Sequence, residues 1–158
     1  MRIGATLAAV AFFALVPPAA AAEDRHAGYY YPEITSSEIY HSRAKVLEHA
    51  DRKMRLSFVV GMASAQAARP YPPSYAIFAK GDEAEKAVIV GLDGESFRTL
   101  YRARAMLALL TARARSTELF QNLAVEDFFT FFDLLRMLGF ERLTVSDGET
   151  YAHQIQLE

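Results

Sequence analysis

The chain has 158 residues, 17 basic against 19 acidic side chains for a formal charge of −2, and neither cysteine nor tryptophan. That balance excludes the strongly basic surface that nucleic-acid binding needs. The missing thiols exclude disulfides, thiolate metal sites, a lipidated cysteine and a cysteine nucleophile.

At the N-terminus, Arg2 precedes an apolar stretch over residues 3–16, which Pro17 and Pro18 break ahead of Ala20, Ala21 and Ala22. A basic start, an apolar middle and small residues before a cut make a secretory signal. Residues 1–22 are therefore expected to be cleaved after Ala22, leaving Glu23 first. A membrane anchor needs roughly 20 apolar residues to cross a bilayer, and this run is shorter, so no anchor is expected once the signal is cleaved. Without a twin-arginine pair, the general secretory route and a periplasmic location follow. Removing 22 of 158 residues leaves 136, and the loss of Arg2 leaves 16 basic against 19 acidic side chains. Such a length makes one domain that buries about two-thirds of its unfolded surface.

Residues 23–37, with Tyr29, Tyr30, Tyr31 and Pro32, read as an irregular arm that packs on its own domain or docks a partner. A short helix is expected within 37–47, and residues 48–158 form a single α+β domain. Met54, Leu56, Phe58 and Val60 alternate with Arg55, Ser57, Val59 and Gly61, the period of a half-buried strand. Small residues and then Pro70, Pro72 and Pro73 turn the chain. Residues 75–80 and 87–92 are short apolar runs about a charged tip at 81–85, which predicts a hairpin.

Ser96 is the expected N-cap of a helix over 97–115. Its Leu100, Ala103, Met106, Leu107, Leu110 and Ala114 share one face, suited to lying on a sheet. A second, largely buried helix over 127–138 should stop at Gly139 in a left-handed cap. At the C-terminus, Leu143 and Val145 must face the same side as Tyr151, His153, Ile155 and Leu157. A three-residue loop, Ser146-Asp147-Gly148 with Gly148 left-handed, aligns the two sets. The order of strand, hairpin, two helices and hairpin predicts an α+β fold of about five mostly antiparallel strands with helices packed on one face.

The first long helix carries Arg98, Arg102 and Arg113 on one flank and Arg104 and Arg115 on the other, with no acidic residue. Guanidinium groups take carboxylates and phosphates bidentately, so Arg98, Arg102 and Arg113 are the candidate ligand- or partner-binding residues. The competing reading is a solvated flank answered by Glu118, Glu126, Asp127 and Asp133. Asp133, on an otherwise apolar helix, is either a functional carboxylate or the partner of Arg136 or of an arginine of the first helix. His153 points with the apolar set of its strand and is expected to be a core histidine with one hydrogen bond. His26, His41 and His49 lack metal-ligand spacing, and neither a metal nor a cofactor is implied. The phosphate-loop, dinucleotide, nucleophile-elbow and zinc-protease patterns are absent, and no catalytic residue is singled out.

Residues 71–81 (Tyr71-Pro72-Pro73-Ser74-Tyr75-Ala76-Ile77-Phe78-Ala79-Lys80-Gly81), Thr99-Leu100-Tyr101-Arg102-Ala103-Arg104-Ala105, Phe131-Phe132-Asp133-Leu134-Leu135 and Ser146-Asp147-Gly148 resemble a group of small exported proteobacterial proteins of unknown function. Some of that group carry the label molybdopterin-guanine dinucleotide biosynthesis protein A, which implies joining GTP to molybdopterin with magnesium. Such nucleotidyltransferases open with a strand and a glycine-rich, Arg- and Lys-bearing loop, whereas Phe58-Val59-Val60 is followed here by Gly61-Met62-Ala63-Ser64. No catalytic residue carries over.

The preferred reading is an exported, non-catalytic periplasmic module that binds a protein partner or a small anionic ligand. The alternative is a cofactor-maturation accessory or an enzyme of the labelled type, with a carboxylate site among Asp127, Asp133 and Asp147.

Overall fold

The computed structural model describes residues 31–93 and 97–158. The expected signal peptide, the first part of the arm and the expected N-cap Ser96 lie outside the described residues. Among the described residues nine elements follow in order: β1 (Ser36–Tyr40), α1 (Arg52–Ala67), β2 (Tyr75–Lys80), β3 (Lys86–Gly91), α2 (Leu100–Arg115), α3 (Glu118–Asn122), α4 (Phe131–Met137), β4 (Arg142–Ser146) and β5 (Ala152–Leu157). The strands form one sheet in the order β1-β5-β4-β3-β2. The fold is α+β, as expected, with the helices packed against the sheet.

The sheet is mixed rather than mostly antiparallel. The β2–β3 and β4–β5 pairs are antiparallel hairpins, whereas β3–β4 and β1–β5 run parallel. Five strands are present, but the first is not the expected one. The segment that alternates from Met54 lies inside α1, where Asp51 accepts the Met54 N–H at 2.7 Å as N-cap. Its buried positions, Arg55, Val59 and Gln66, recur at helical spacing, and Val60, which a strand would bury, is 63% exposed. The fifth strand comes instead from Ser36–Tyr40, within the segment expected to be an arm and a short helix. It pairs with β5 from Ser36↔His153 to Tyr40↔Leu157.

Strand parity divides the sheet cleanly. Tyr75, Ile77, Ala87, Ile89, Leu143, Val145, Ile155 and Leu157 face the helices and join Ala103, Leu107, Leu110, Ala114, Phe131 and Leu135 in the main core. On the opposite face Tyr31 is buried against Val88 and Ala152, with Ile34 alongside. The part of the arm that is described thus packs on its own domain.

α2 begins at Leu100, three residues later than expected, because Thr99 accepts the Arg102 N–H at 3.3 Å. α4 is also shorter than expected. A capping box between Thr130 and Asp133 starts it at Phe131, and the residues before it form turns in which Phe128 is exposed. Its end matches expectation: Gly139 has φ +80°, Gly139 N–H donates to Arg136 O at 2.9 Å and Phe140 N–H to Leu135 O at 3.0 Å, the paired bonds of a Schellman cap.

The β4–β5 register places Leu143 opposite Ile155 and Val145 opposite His153, the expected face. The loop, however, is five residues rather than three. Asp147 accepts the N–H groups of Glu149, Thr150 and Tyr151 at 2.8–2.9 Å, which stabilises the wider turn, and Gly148 is left-handed at φ +81°.

Candidate functional site

α1 packs on β2, and the C-terminal end of α2 reaches the same strand, leaving between the two helices a cleft of about 360 Å³. The proline-bearing segment after α1 returns the chain to β2, so the end of α1, the start of β2 and the end of α2 meet at one mouth. Phe58, Met62 and Ala65 from α1, Leu110 and Ala114 from α2, and Phe131 and Leu134 from α4 form the walls. A cleft of this size and apolarity suits a small organic ligand.

Polar groups gather at the end where Arg69, Arg113 and Tyr75 converge. Gln66 is buried and donates from Nε2 to the Tyr75 carbonyl at 3.0 Å, fastening α1 to β2. Tyr75 is 2% exposed, and Arg113 donates from Nη1 to its hydroxyl at 3.4 Å. Burial pushes the Tyr75 hydroxyl above its ordinary value, against the opposing pull of Arg113 and Arg69. The hydroxyl therefore keeps its proton at neutral pH and retains a donor after accepting from Arg113. Among the described residues, neither Arg69 nor Arg113 has a carboxylate within ion-pair distance.

Of the three arginines expected to act together, only Arg113 reaches this cleft. Arg98 lies in the turn before α2 and Arg102 in its first turn. Eleven residues of helix, about 16 Å at 1.5 Å per residue, separate Arg102 from Arg113. Arg102 and Arg113 share a flank of α2 but are spread along its axis, Arg98 precedes the helix, and both Arg98 and Arg102 are engaged in contacts of their own. Arg104 pairs with Glu38 at 3.1 Å, and Arg115 donates to the Phe129 carbonyl at 3.3 Å. Those two arginines answer a carboxylate and a carbonyl other than the acids expected from sequence. Arg69 replaces Arg98 and Arg102 as the second cation of the site. Arg69 carries no signal of its own when residues 54–61 are taken as a strand, since only the α1–α2 packing brings residue 69 near residue 113.

Asp133 is 2% exposed and serves as a structural acceptor rather than as the partner of an arginine. It accepts from Ser42 Oγ at 2.7 Å, Thr130 N–H at 2.8 Å and the Tyr40 hydroxyl at 3.0 Å. Asp147 holds the β4–β5 turn, and Asp127 lies in the turn before α4. The three carboxylates thus belong to separate local structures, and no cluster of metal-binding side chains occurs among the described residues.

His153 is buried on β5, next to the edge strand β1, with Nδ1 2.8 Å from Ser36 Oγ. This is the single hydrogen bond expected of it. Its Nε2 lies 3.3 Å from Glu38 Oε1, close enough for a charge contact but off the line of a hydrogen bond, so that this nitrogen has no hydrogen-bond partner. A smaller cavity of about 270 Å³ adjoins it, between β1 and α2.

No family model, curated protein or solved structure matches this chain. The chemistry of the cleft therefore carries the functional reading.

Proposed function

We propose that this protein is an exported, non-catalytic periplasmic module that binds a small anionic ligand in the cleft between α1 and α2. The observation that carries the reading is the convergence of Arg69 and Arg113 on the buried Tyr75 hydroxyl at one end of an apolar cleft. A concave apolar wall favours a small molecule over a protein partner, since buried area with a few placed polar groups is how small ligands are held. The export part rests on Arg2, the apolar residues 3–16 and the small residues Ala20 to Ala22.

The nucleotidyltransferase alternative gains no support at its diagnostic position. Phe58 to Ser64 lie within α1, where no strand leads into a phosphate-cradling loop.

Native mass spectrometry of the protein purified from the periplasm of its own host tests the proposal. A stoichiometric adduct is expected, and it should be lost when Ala65→Phe fills the cleft. A bare chain, or an adduct that the filled variant retains, would contradict the cleft reading. A mass that still includes Met1 would contradict export.

A further inference from the structure

We infer that the ligand is an aliphatic monocarboxylate, its carboxylate held by Arg69, Arg113 and the Tyr75 hydroxyl and its chain lying between α1 and α2. This inference rests on the cleft being the binding site. It goes further by assigning the ligand's charge, its head group and its orientation.

The donors at the mouth limit the head group. Gln66 Nε2 gives one of its two N–H groups to the Tyr75 carbonyl at 3.0 Å, and Thr117 Oγ1 donates to the Ala114 carbonyl at 2.6 Å. The remaining side-chain donors of the lining are the second Gln66 N–H, the two guanidinium groups and the tyrosine hydroxyl. A guanidinium presents five N–H donors in a planar fork, so Arg113 can bond the Tyr75 oxygen and a ligand oxygen together. Two forks and one hydroxyl match the two oxygens of a carboxylate, which accept about four hydrogen bonds.

The remainder of the wall excludes a polar body. Phe58, Met62, Leu110, Phe131 and Leu134 offer no side-chain hydrogen-bond partner, so hydroxyl or amide groups placed against them would lose their bonds to water without replacement. A hydrocarbon chain gains there instead, through burial of each methylene. Arg69 and Arg113 are themselves exposed, so their attraction for the head group is open to salt.

Isothermal titration of the delipidated protein with decanoate and with 1-decanol separates the charge of the ligand from its chain. Decanoate is expected to bind at least tenfold more tightly than decanol. The margin should shrink as salt rises, and it should vanish in the Arg69→Gln/Arg113→Gln double variant. Tyr75→Phe, which keeps the buried ring, should weaken decanoate binding roughly tenfold to a hundredfold, as loss of a bond to a charged group does. Equal affinity for acid and alcohol, or a double variant that keeps the margin, would overturn the carboxylate assignment while leaving the cleft as the site. Binding of neither compound would overturn both.

Discussion

Arg55 and Gly139 share one small space inside the fold. Arg55 is 6% exposed, and its Nη1 donates to the Gly139 carbonyl at 3.4 Å. A Cβ built on the left-handed Gly139 would lie 2.6 Å from that nitrogen. The same guanidinium reaches Glu83 O from Nε at 2.9 Å, and Ala50 O and Leu138 O from Nη1 at 3.3 and 3.4 Å. A buried cation is thus satisfied by four carbonyls and ties α1 to the β2–β3 loop and to the end of α4. Arg55→Met should cost about 2–4 kcal/mol, because it strands buried acceptors. Gly139→Ala should cost about 2 kcal/mol through its left-handed backbone and the displaced guanidinium. Urea denaturation of both single variants and the double variant checks the pair: the double should lose less than the sum, since the clash disappears with Arg55.

Asp133 should set part of the acid sensitivity of the fold. Burial pushes its carboxyl up, but hydrogen bonds from Ser42, Thr130 and Tyr40 outweigh burial and hold it below its ordinary value. The unfolded chain therefore binds the proton more readily. The contribution is complete above the unfolded value, near 4, and is lost as pH falls through the lower folded value. Asp133→Asn should cost about 2–3 kcal/mol at pH 7. It should also flatten the fall in stability below pH ~4. Denaturation midpoints measured across the acid range would contradict this if wild type and variant fell in parallel.

Asp147 acts in the same direction by a local route. Burial opposes ionisation, but the Tyr151, Glu149 and Thr150 N–H groups, with the Thr150 hydroxyl, lower its carboxyl from 3.8 to about 2. The stability it adds is present above about pH 4 and disappears as pH falls towards about 2. Asp147→Ala should cost about 1–2 kcal/mol at neutral pH, in the range of a lost backbone cap. Faster amide exchange should be confined to residues 149–151.

Ser36 and His153 join the parallel edge strand to the body of the sheet. Ser36→Ala leaves a buried imidazole nitrogen without its partner and should cost about 1–2 kcal/mol. Hydrogen exchange should rise along β1 and remain unchanged in β2, which lies at the other edge of the sheet. Uniform acceleration over the whole sheet would contradict this local role.

The two hairpins and the apolar face of α2 were readable because their signals are local. Turn residues and alternation place Tyr75–Lys80 against its neighbour, and Leu143 and Val145 could share a face with His153 and Ile155 in only one parity. α1 was not readable from alternation because Met54 and Phe58 satisfy a period of two and a helical spacing at once. The deciding residue was Asp51, whose side chain caps the helix. β1 is a five-residue edge strand with alternating half-buried and exposed positions, and it carries little apolar signal of its own. The cleft was half legible. Arg113 stood out on an arginine-rich helix, but Arg69 acquires meaning only through packing between helices distant in sequence.

The most direct test of the account is the change in amide chemical shifts of isotope-labelled protein on titration with decanoate. The account predicts saturable changes at residues 58–69, at Tyr75 and at residues 110–117, with β1 and His153 unmoved. Saturable changes centred on Glu38 and His153, with the α1–α2 cleft silent, would contradict it.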